Sequence, residues 1–484
     1  MSTPLSPPLD RMGGRAWGML LVLCGAIFLE GIDVAMLNVA LPSIRADLGL
    51  TTGSLSWVMS SYVLGYGGFM LLGGRAADLL GRRRMFLAWL GVFIVFSGLG
   101  GFATEGWVLI VARFVTGVAS AFMAPAGLSI ITTNFAEGPR RNRALLVYAG
   151  TAAAGFSLGL VVGGLLAEIS WRWVFFAPVI MASVVLVAAL LLIPAGDRPD
   201  RHTRGFDLAG AVTVTGAMMV LVFAVVRLED PAGGWVWTAG ALAAGIALLA
   251  AFVAIERRSA SPLVRLGVLR SGPLVRANLG ALLFGGSFFG FQFLVVLYLQ
   301  ELRGWSSLQA ALALLVVSID AILAPTLTPR LVNRFGNVRV IFGGLCLAAV
   351  AYALFLPVGL DWTYAAMFPT MVVLGLGFAL AYGPLTIAAT DGVAEEEQGL
   401  AGGLLYTSFQ FGSALGLSAV TAVNVAATGS GGSLLTQLDG FRAALVIPLA
   451  MAVAAAAVVA SGLRGRGGAG TESRHEAPVP AESR

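Results

Sequence analysis

The sequence predicts an all-α polytopic membrane protein of fourteen spans with both termini cytoplasmic, and three observations carry that expectation. Only 11% of the 484 residues are charged and 58% are hydrophobic, with a mean hydropathy of +0.89; a soluble chain carries about 25% charged residues. Apolar runs of about 20 residues, each long enough to cross a bilayer, recur from end to end. The Arg residues fall on alternate loops.

Each span has its own punctuation. The first, 17–41, follows Arg11 and Arg15 and stops at Pro42; the second, 54–74, stops at Arg75. Runs 85–104 and 107–130 lie between the Arg82–Arg84 cluster and the Arg140–Arg143 cluster, separated by a polar turn at Thr104–Gly106. Runs 144–167 and 172–194 flank "SWRW" and end at "PAGDRPD". Runs 208–228 and 235–255 form a pair ended by Arg257 and Arg258. Runs 277–299 and 307–331 follow Arg276 and end at Arg330, and 338–358 follows Gly336. Run 362–388 precedes the acidic loop "DGVAEEEQG", and 400–427 and 441–463 complete the set.

All 30 Lys+Arg positions are Arg. With the N-terminus cytoplasmic, twenty-four fall on inner segments and five (Arg45, Arg172, Arg227, Arg303, Arg442) on outer ones. One miscounted span would invert every later loop, so the positive-inside bias supports the count. The last, Arg113, lies inside a span. The first run is too long, and holds too many acids, for a cleaved leader.

Composition also narrows function. Cys24 and Cys346 both sit in apolar runs, which argues against a disulfide or metal site. His202 and His475 lie in polar loop or tail. No GxxxxGK[ST] loop is possible without Lys, so ATP is not the driver, and no nucleophile–base spacing suggests an enzyme. The net charge of +5 reflects loop Arg and does not point to nucleic acid. No cofactor is expected beyond protons as coupling ion.

The loop "GGRAADLLGRRRMF" (73–86) has a counterpart in "TPRLVNRFGNVRVI" (328–341). Aligning Gly81 with Gly336 pairs Asp78 with Asn333, Arg75 with Arg330 and Arg84 with Arg339, an offset of 255. A parallel repeat about an axis normal to the membrane is a transporter architecture, with the substrate site between the halves. The expected division is a cytoplasmic segment 1–16, a six-helix bundle 17–194, two inserted helices with their flanking loops 195–276, a second six-helix bundle 277–463 and a disordered cytoplasmic tail 464–484.

These motifs resemble the major facilitator superfamily, and more narrowly its fourteen-helix branch of drug:proton antiporters. "GIDVAMLNVALP" is similar to that branch's first-helix signature through Asp33, Asn38, Ala40, Leu41 and Pro42, with Ala35 where Thr is usual. "GGRAADLLGRRR" resembles the superfamily loop motif through Gly74, Asp78, Gly81, Arg82 and Arg83, with Leu79 replacing an Arg. "LIVARFVTGVASAFMAPAG" matches the fourth-helix motif at Arg113, Gly117 and Pro125. "GFSLGLVVGG" resembles the fifth-helix antiporter motif through Gly155, Gly159, Gly163 and Gly164, with Leu160 at its usual Pro. The resemblance implies proton-coupled efflux by alternating access, by a monomer in the bacterial cytoplasmic membrane. It also implies that the glycine stripe packs against the opposite half. Asp78, with Gly81 and Arg82, reads as a gate on the inner side, accepting from Arg82 or from a helix N-terminus of the other half, or else as a solvated loop acid.

The acids carry the chemistry. Glu30 and Asp33 stand one turn apart on one face of the first helix. Asp33 lies nine residues before Pro42, ~13 Å deep, and Arg113 six residues into the fourth span, ~9 Å deep. Intramembrane charges face a cavity or a partner. Burial and a neighbouring carboxylate favour a protonated acid, and an Arg favours an ionised one, so Asp33 and Arg113 together suit proton coupling. A static Asp33–Arg113 pair is the alternative. Glu30 reads as a second titrating acid, part of the substrate surface, or a polar contact within the bundle. Asp320, halfway along the tenth span, reads as a cation-recognition acid, a second proton site or a structural residue. Gln292, Gln410, Tyr62, Phe289 and Tyr406 are further cavity candidates, the two Gln also suiting helix–helix hydrogen bonds. Lipophilic, cationic drugs or antibiotics are the expected cargo; a dedicated exporter of one self-made metabolite and a uniporter or channel are the alternatives.

Overall fold

The computed structural model describes residues 13–135, 139–194, 207–226, 235–259, 267, 271–390, 398–429 and 433–464, and no strand occurs among them. The first six helices are α1 (Gly14–Leu48), α2 (Thr52–Leu80), α3 (Arg82–Gly101), α4 (Gly106–Asn134), α5 (Pro139–Ile169) and α6 (Trp173–Leu192). Next come α7 (Leu208–Val226), α8 (Trp235–Glu256) and α9 (Gly272–Leu297), the last continued by a π-turn, Tyr298–Leu302. A rod follows in three pieces: α10 (Ser307–Leu315), α11 (Asp320–Thr326) and α12 (Thr328–Phe335). The chain ends with α13 (Asn337–Phe355), α14 (Tyr364–Thr390), α15 (Gln398–Thr428) and α16 (Leu434–Arg464).

Each apolar run expected from the sequence is helical over most of its length. Among the described residues, eleven helices are long and apolar enough to cross a membrane. Helix α1, at 35 residues, is ~52 Å long and outreaches the ~30 Å hydrocarbon core. Its end is set by Gly49, which takes φ 62° and returns its N–H to the Arg45 carbonyl, a left-handed cap that glycine adopts without a Cβ penalty.

The tenth run departs from a single straight span. It starts on a Ser306–Gln309 capping box, narrows to a 3₁₀ turn at Val316–Ile319 and resumes at Asp320. Pro329 at the head of α12 has no N–H to offer, which suits a helix start. Gly81 and Gly336, the aligned loop glycines, occupy the same structural position: each separates two helices with positive φ, 98° and 83°.

Packing sorts the rods. Helix α1 packs on α5 and α6, α2 on α4, and α3 on α4 and α6. Helix α9 packs on α14, α15 and α16, and α13 on α14 and α16. Helices α2 and α15 meet along one seam, and α5 and α10 along another. Helices α7 and α8 pair with each other, and α7 lies against both α2 and α15. Of the eleven apolar helices among the described residues, α9 with its π-turn is the most enclosed and α8 the least, so α8 presents apolar side chains almost all round, as a lipid-facing helix does.

Candidate functional site

Asp33 on α1 and Arg113 on α4 meet: Arg113 Nη1 donates to Asp33 Oδ2 at 2.5 Å, and each side chain is only 2% exposed. Glycines make the meeting possible. A Cβ on Gly65 would press on the Phe114 carbonyl, and one on Gly117 on the Tyr62 carbonyl, so α2 and α4 approach closely where both lack side chains. That approach lays the Tyr62 ring 4.3 Å from the Arg113 guanidinium carbon, a cation–π contact in a dry setting. The Tyr62 hydroxyl donates to Ser120 Oγ at 3.1 Å.

From Tyr62 a ladder of rings leads back to α1. Tyr62 stacks on Tyr66 with centroids 6.0 Å apart, and Tyr66 meets the edge of Tyr406 on α15 at 5.2 Å. The Tyr406 hydroxyl donates to Glu30 Oε1 at 3.1 Å. Glu30 is partly exposed where Asp33 is sealed. The two acids therefore share a helix face and differ in access.

A second aromatic group lies on α9, α14 and α15. Phe378 sits 4.5 Å from Phe288, Tyr382 4.9 Å from Phe409, and Phe289 6.1 Å from Phe409, centroid to centroid. Phe289 thus belongs to the α9–α14–α15 wall and Tyr406 to the Glu30 wall. Gln410 is buried in the α2–α15 seam beside Gly67. Asp320 is half-buried at the head of α11, which packs on α14 and α5, a different wall from Glu30.

Gln292 is fully buried, and its Oε1 accepts from Asn38 Nδ2 at 3.2 Å. Further along α1, Gln300 Nε2 donates to the Val39 carbonyl at 2.9 Å and Arg45 Nη1 to both Glu301 carboxylate oxygens at 2.8 and 2.7 Å. The Asn38–Gln292 and Arg45–Glu301 separations, 254 and 256 residues, bracket the 255-residue loop offset. Positions on α1 therefore touch positions on α9 and its π-turn that lie within one residue of that offset.

One expectation is corrected. The stripe Gly155, Gly159, Gly163 faces α1, not the opposite half: an added Cβ would lie 2.6 Å from the Phe28 carbonyl, 2.8 Å from Ile32 Cα and 2.5 Å from Met36 Cα. The four-residue spacing matches a four-residue rise along α1, and that neighbour takes the whole stripe. Gly164, one position round, is the glycine that meets α10, with Leu308 Cα at 2.9 Å and Ala311 Cβ at 2.8 Å. Leu160 is fully buried.

Of the loop residues, Gly81 separates α2 from α3 and Arg82 opens α3, half-buried. Asp78 lies on α2, its side chain outside the described set. Sequence reasoning set Arg83 in the loop motif but missed what it holds: the guanidinium donates to the Ile193 and Leu190 carbonyls at 2.9 and 3.0 Å and so ties off the last turn of α6. It also missed Arg45, Glu301 and Gln300, exposed or loop-end positions with no signal beyond the repeat offset.

The sequence profile described as the Major Facilitator Superfamily matches residues 23–417. The chain belongs to that superfamily. It is therefore a multi-pass membrane protein of a transporter family. Over 450 residues it is 36% identical to the cephamycin export protein of Amycolatopsis lactamdurans, covering 90% of each chain. It is 32% identical to the puromycin resistance protein of Streptomyces alboniger, over 91% of this chain and 89% of that one. It is 33% identical to the lincomycin resistance protein of Streptomyces lincolnensis, over 84% of each. Among solved structures, a bacterial homologue of the human lysosomal transporter Spinster superposes with a TM-score of 0.67 at 16% identity, covering 94% of this chain and 98% of that one, which shows the shared fold.

Proposed function

We propose that this transporter exports lipophilic, cationic antibiotics or drugs in exchange for protons, by alternating access between two six-helix bundles, 17–194 and 277–463, with α7 and α8 inserted. Fourteen spans in the bacterial cytoplasmic membrane, both termini inside, put the Arg45 end of α1 on the outer face. The near-equivalent contacts between α1 and α9, 254 and 256 residues apart, support a pseudo-twofold between the bundles.

The observation that carries the reading is the sealed Asp33–Arg113 pair with partly exposed Glu30 one turn inward. Protonating Asp33 cancels its charge and releases Arg113, whose remaining dry neighbour is the Tyr62 ring. Tyr62 and Tyr66 stand between Arg113 and Tyr406, so a change at Asp33 has a packed route to the opposite bundle. A substrate cation at Glu30 would be held by the carboxylate and the surrounding rings. A proton entering down 100 mV supplies ~2.3 kcal/mol, enough to drive lipophilic cargo outward.

A second reading, a dedicated exporter of one self-made antibiotic, is favoured by relatives named for single compounds, cephamycin and lincomycin among them. Proteoliposomes carrying an imposed pH gradient test both, with puromycin, lincomycin and ethidium as cargo. Antiport predicts gradient-driven efflux that vanishes in Asp33→Asn, with a raised KM for cations in Glu30→Gln. Asp320→Asn shifts KM alone if Asp320 reads cations, and abolishes coupling if it carries a proton. Efflux of ethidium and both antibiotics supports breadth, and efflux of one supports dedication. Flux that ignores uncouplers would sink the antiport reading.

A further inference from the structure

Three polar ties join α1 to α9 and its π-turn beyond Asp33. The outermost, Arg45–Glu301, has side chains 33% and 26% exposed, so water reaches it. The middle one runs from Gln300 to the Val39 carbonyl, Gln300 also accepting from Ser307 Oγ at 3.1 Å. The innermost, Asn38–Gln292, is dry, at 1% and 0% exposure. On that line, dry packing begins at Asn38–Gln292 and continues to Asp33–Arg113.

The innermost tie is half made. Two facing primary amides can exchange two hydrogen bonds, yet one is formed, and Asn38 Oδ1 and Gln292 Nε2 have no partner. Rotating either amide by 180° exchanges oxygen and nitrogen without supplying partners for both orphans. A buried acceptor and a buried donor left dry penalise the closed arrangement, and hydration on opening would satisfy both.

The geometry points to Asn38 and Gln292 as the outer seal of the transport path, a latch that shuts water from Asp33 and is weakened by its own unpaired atoms so that it can reopen. This rests on the antiport reading for its purpose. Their role is positional: they hold the two bundles shut and touch neither proton nor cargo.

The test measures opening directly. Full-length protein with Cys24→Ala, Cys346→Ala and Val39→Cys is expressed in intact cells, and a membrane-impermeant methanethiosulfonate is added outside, with no cargo and no imposed gradient. Val39 is fully buried here and adjoins the seal, so its replacement labels only on opening. Asn38→Ala and Gln292→Ala each strand the other amide entirely and should raise the labelling rate about tenfold. The double variant Asn38→Leu/Gln292→Leu removes both orphans and fills the site with apolar side chains, so it should label more slowly than the parent. Should Gln292→Ala fail to fold, Gln292→Asn withdraws the amide by one methylene and should also label faster. A residue that merely supports folding would not move the single and double variants in opposite directions. Parent-rate labelling in the single variants, or a double variant that labels as fast as they do, overturns the latch. Labelling in cells de-energised with an uncoupler uses no gradient, so its failure removes the latch alone, whereas gradient-independent efflux by the unsubstituted protein removes the antiport reading alone.

Discussion

Replacing Asp33 by Asn keeps the side chain's shape and deletes the charge opposite Arg113. Arg113 stays 2% exposed, and its Nε already lacks a partner. Breaking one side of a buried ion pair costs about 3–5 kcal/mol. The Asn carbonyl still accepts from Nη1, which places the expected loss near 3 kcal/mol; the Tyr62 contact exists before and after and offsets nothing. Replacing both residues, Asp33→Leu with Arg113→Met, leaves no stranded charge and should recover most of that loss. Thermal unfolding in detergent measures stability, and gradient-driven ethidium efflux measures coupling. The expected result is an unstable single variant, a stable double variant and no coupled efflux from either. A stable double variant that still exports against the gradient would refute proton coupling at Asp33 and leave the pair a structural tie. A single variant as stable as its parent would refute the energetics.

Three further outcomes follow from the packing. Gly159→Leu drives a side chain into Ile32 and Ala35, so it should cost at least 1–3 kcal/mol, whereas Gly91→Ala, with no atom within 4 Å of the added Cβ, should stabilise α3 by about 0.5–1 kcal/mol; thermal unfolding compares them. Glu301→Gln removes one side of a partly exposed ion pair and should cost less than about 1 kcal/mol, with the reversed pair Arg45→Glu/Glu301→Arg restoring it. Hydrogen bonds from the Trp171 indole and the Arg172 guanidinium hold Asp47 below its usual carboxylate range. A depressed carboxylate contributes fully above its unfolded value and loses that contribution as pH falls through its folded one. Trp171 fluorescence, isolated by difference against Trp171→Phe, should therefore be flat near neutrality and change only in acid, and the acid step should vanish in Asp47→Asn.

The sequence read well wherever one residue type had one physical excuse. An acid and an Arg at matching depths in oil had to find each other, and Asp33 and Arg113 did. Gly81 and Gly336 were legible because the turn between two helices needs positive φ. The glycine stripe of α5 was legible as a smooth face but not as to its neighbour, because a face without side chains accepts any helix. The break in the tenth rod left no mark, since "VVSI" holds no Gly or Pro to interrupt a helix. Asn38 was legible as a signature residue and Gln292 as a candidate for a helix–helix hydrogen bond, but not their pairing: neutral amides set no charge balance and no spacing, so only the tertiary structure brings them together.

Helix α7 has one further consequence. It lies across the α2–α15 seam and is fastened to α2 by Thr215, whose hydroxyl donates to the Gly68 carbonyl at 2.9 Å, with Met219 against Gly68 and Phe223 against Trp57. Against α15 the hairpin offers greasy surface, Val214 and Phe252 beside Leu404. If the halves tilt as proposed, the slip would fall between α7 and α15, and the inserted pair would ride on the first bundle as a sliding shutter over that seam.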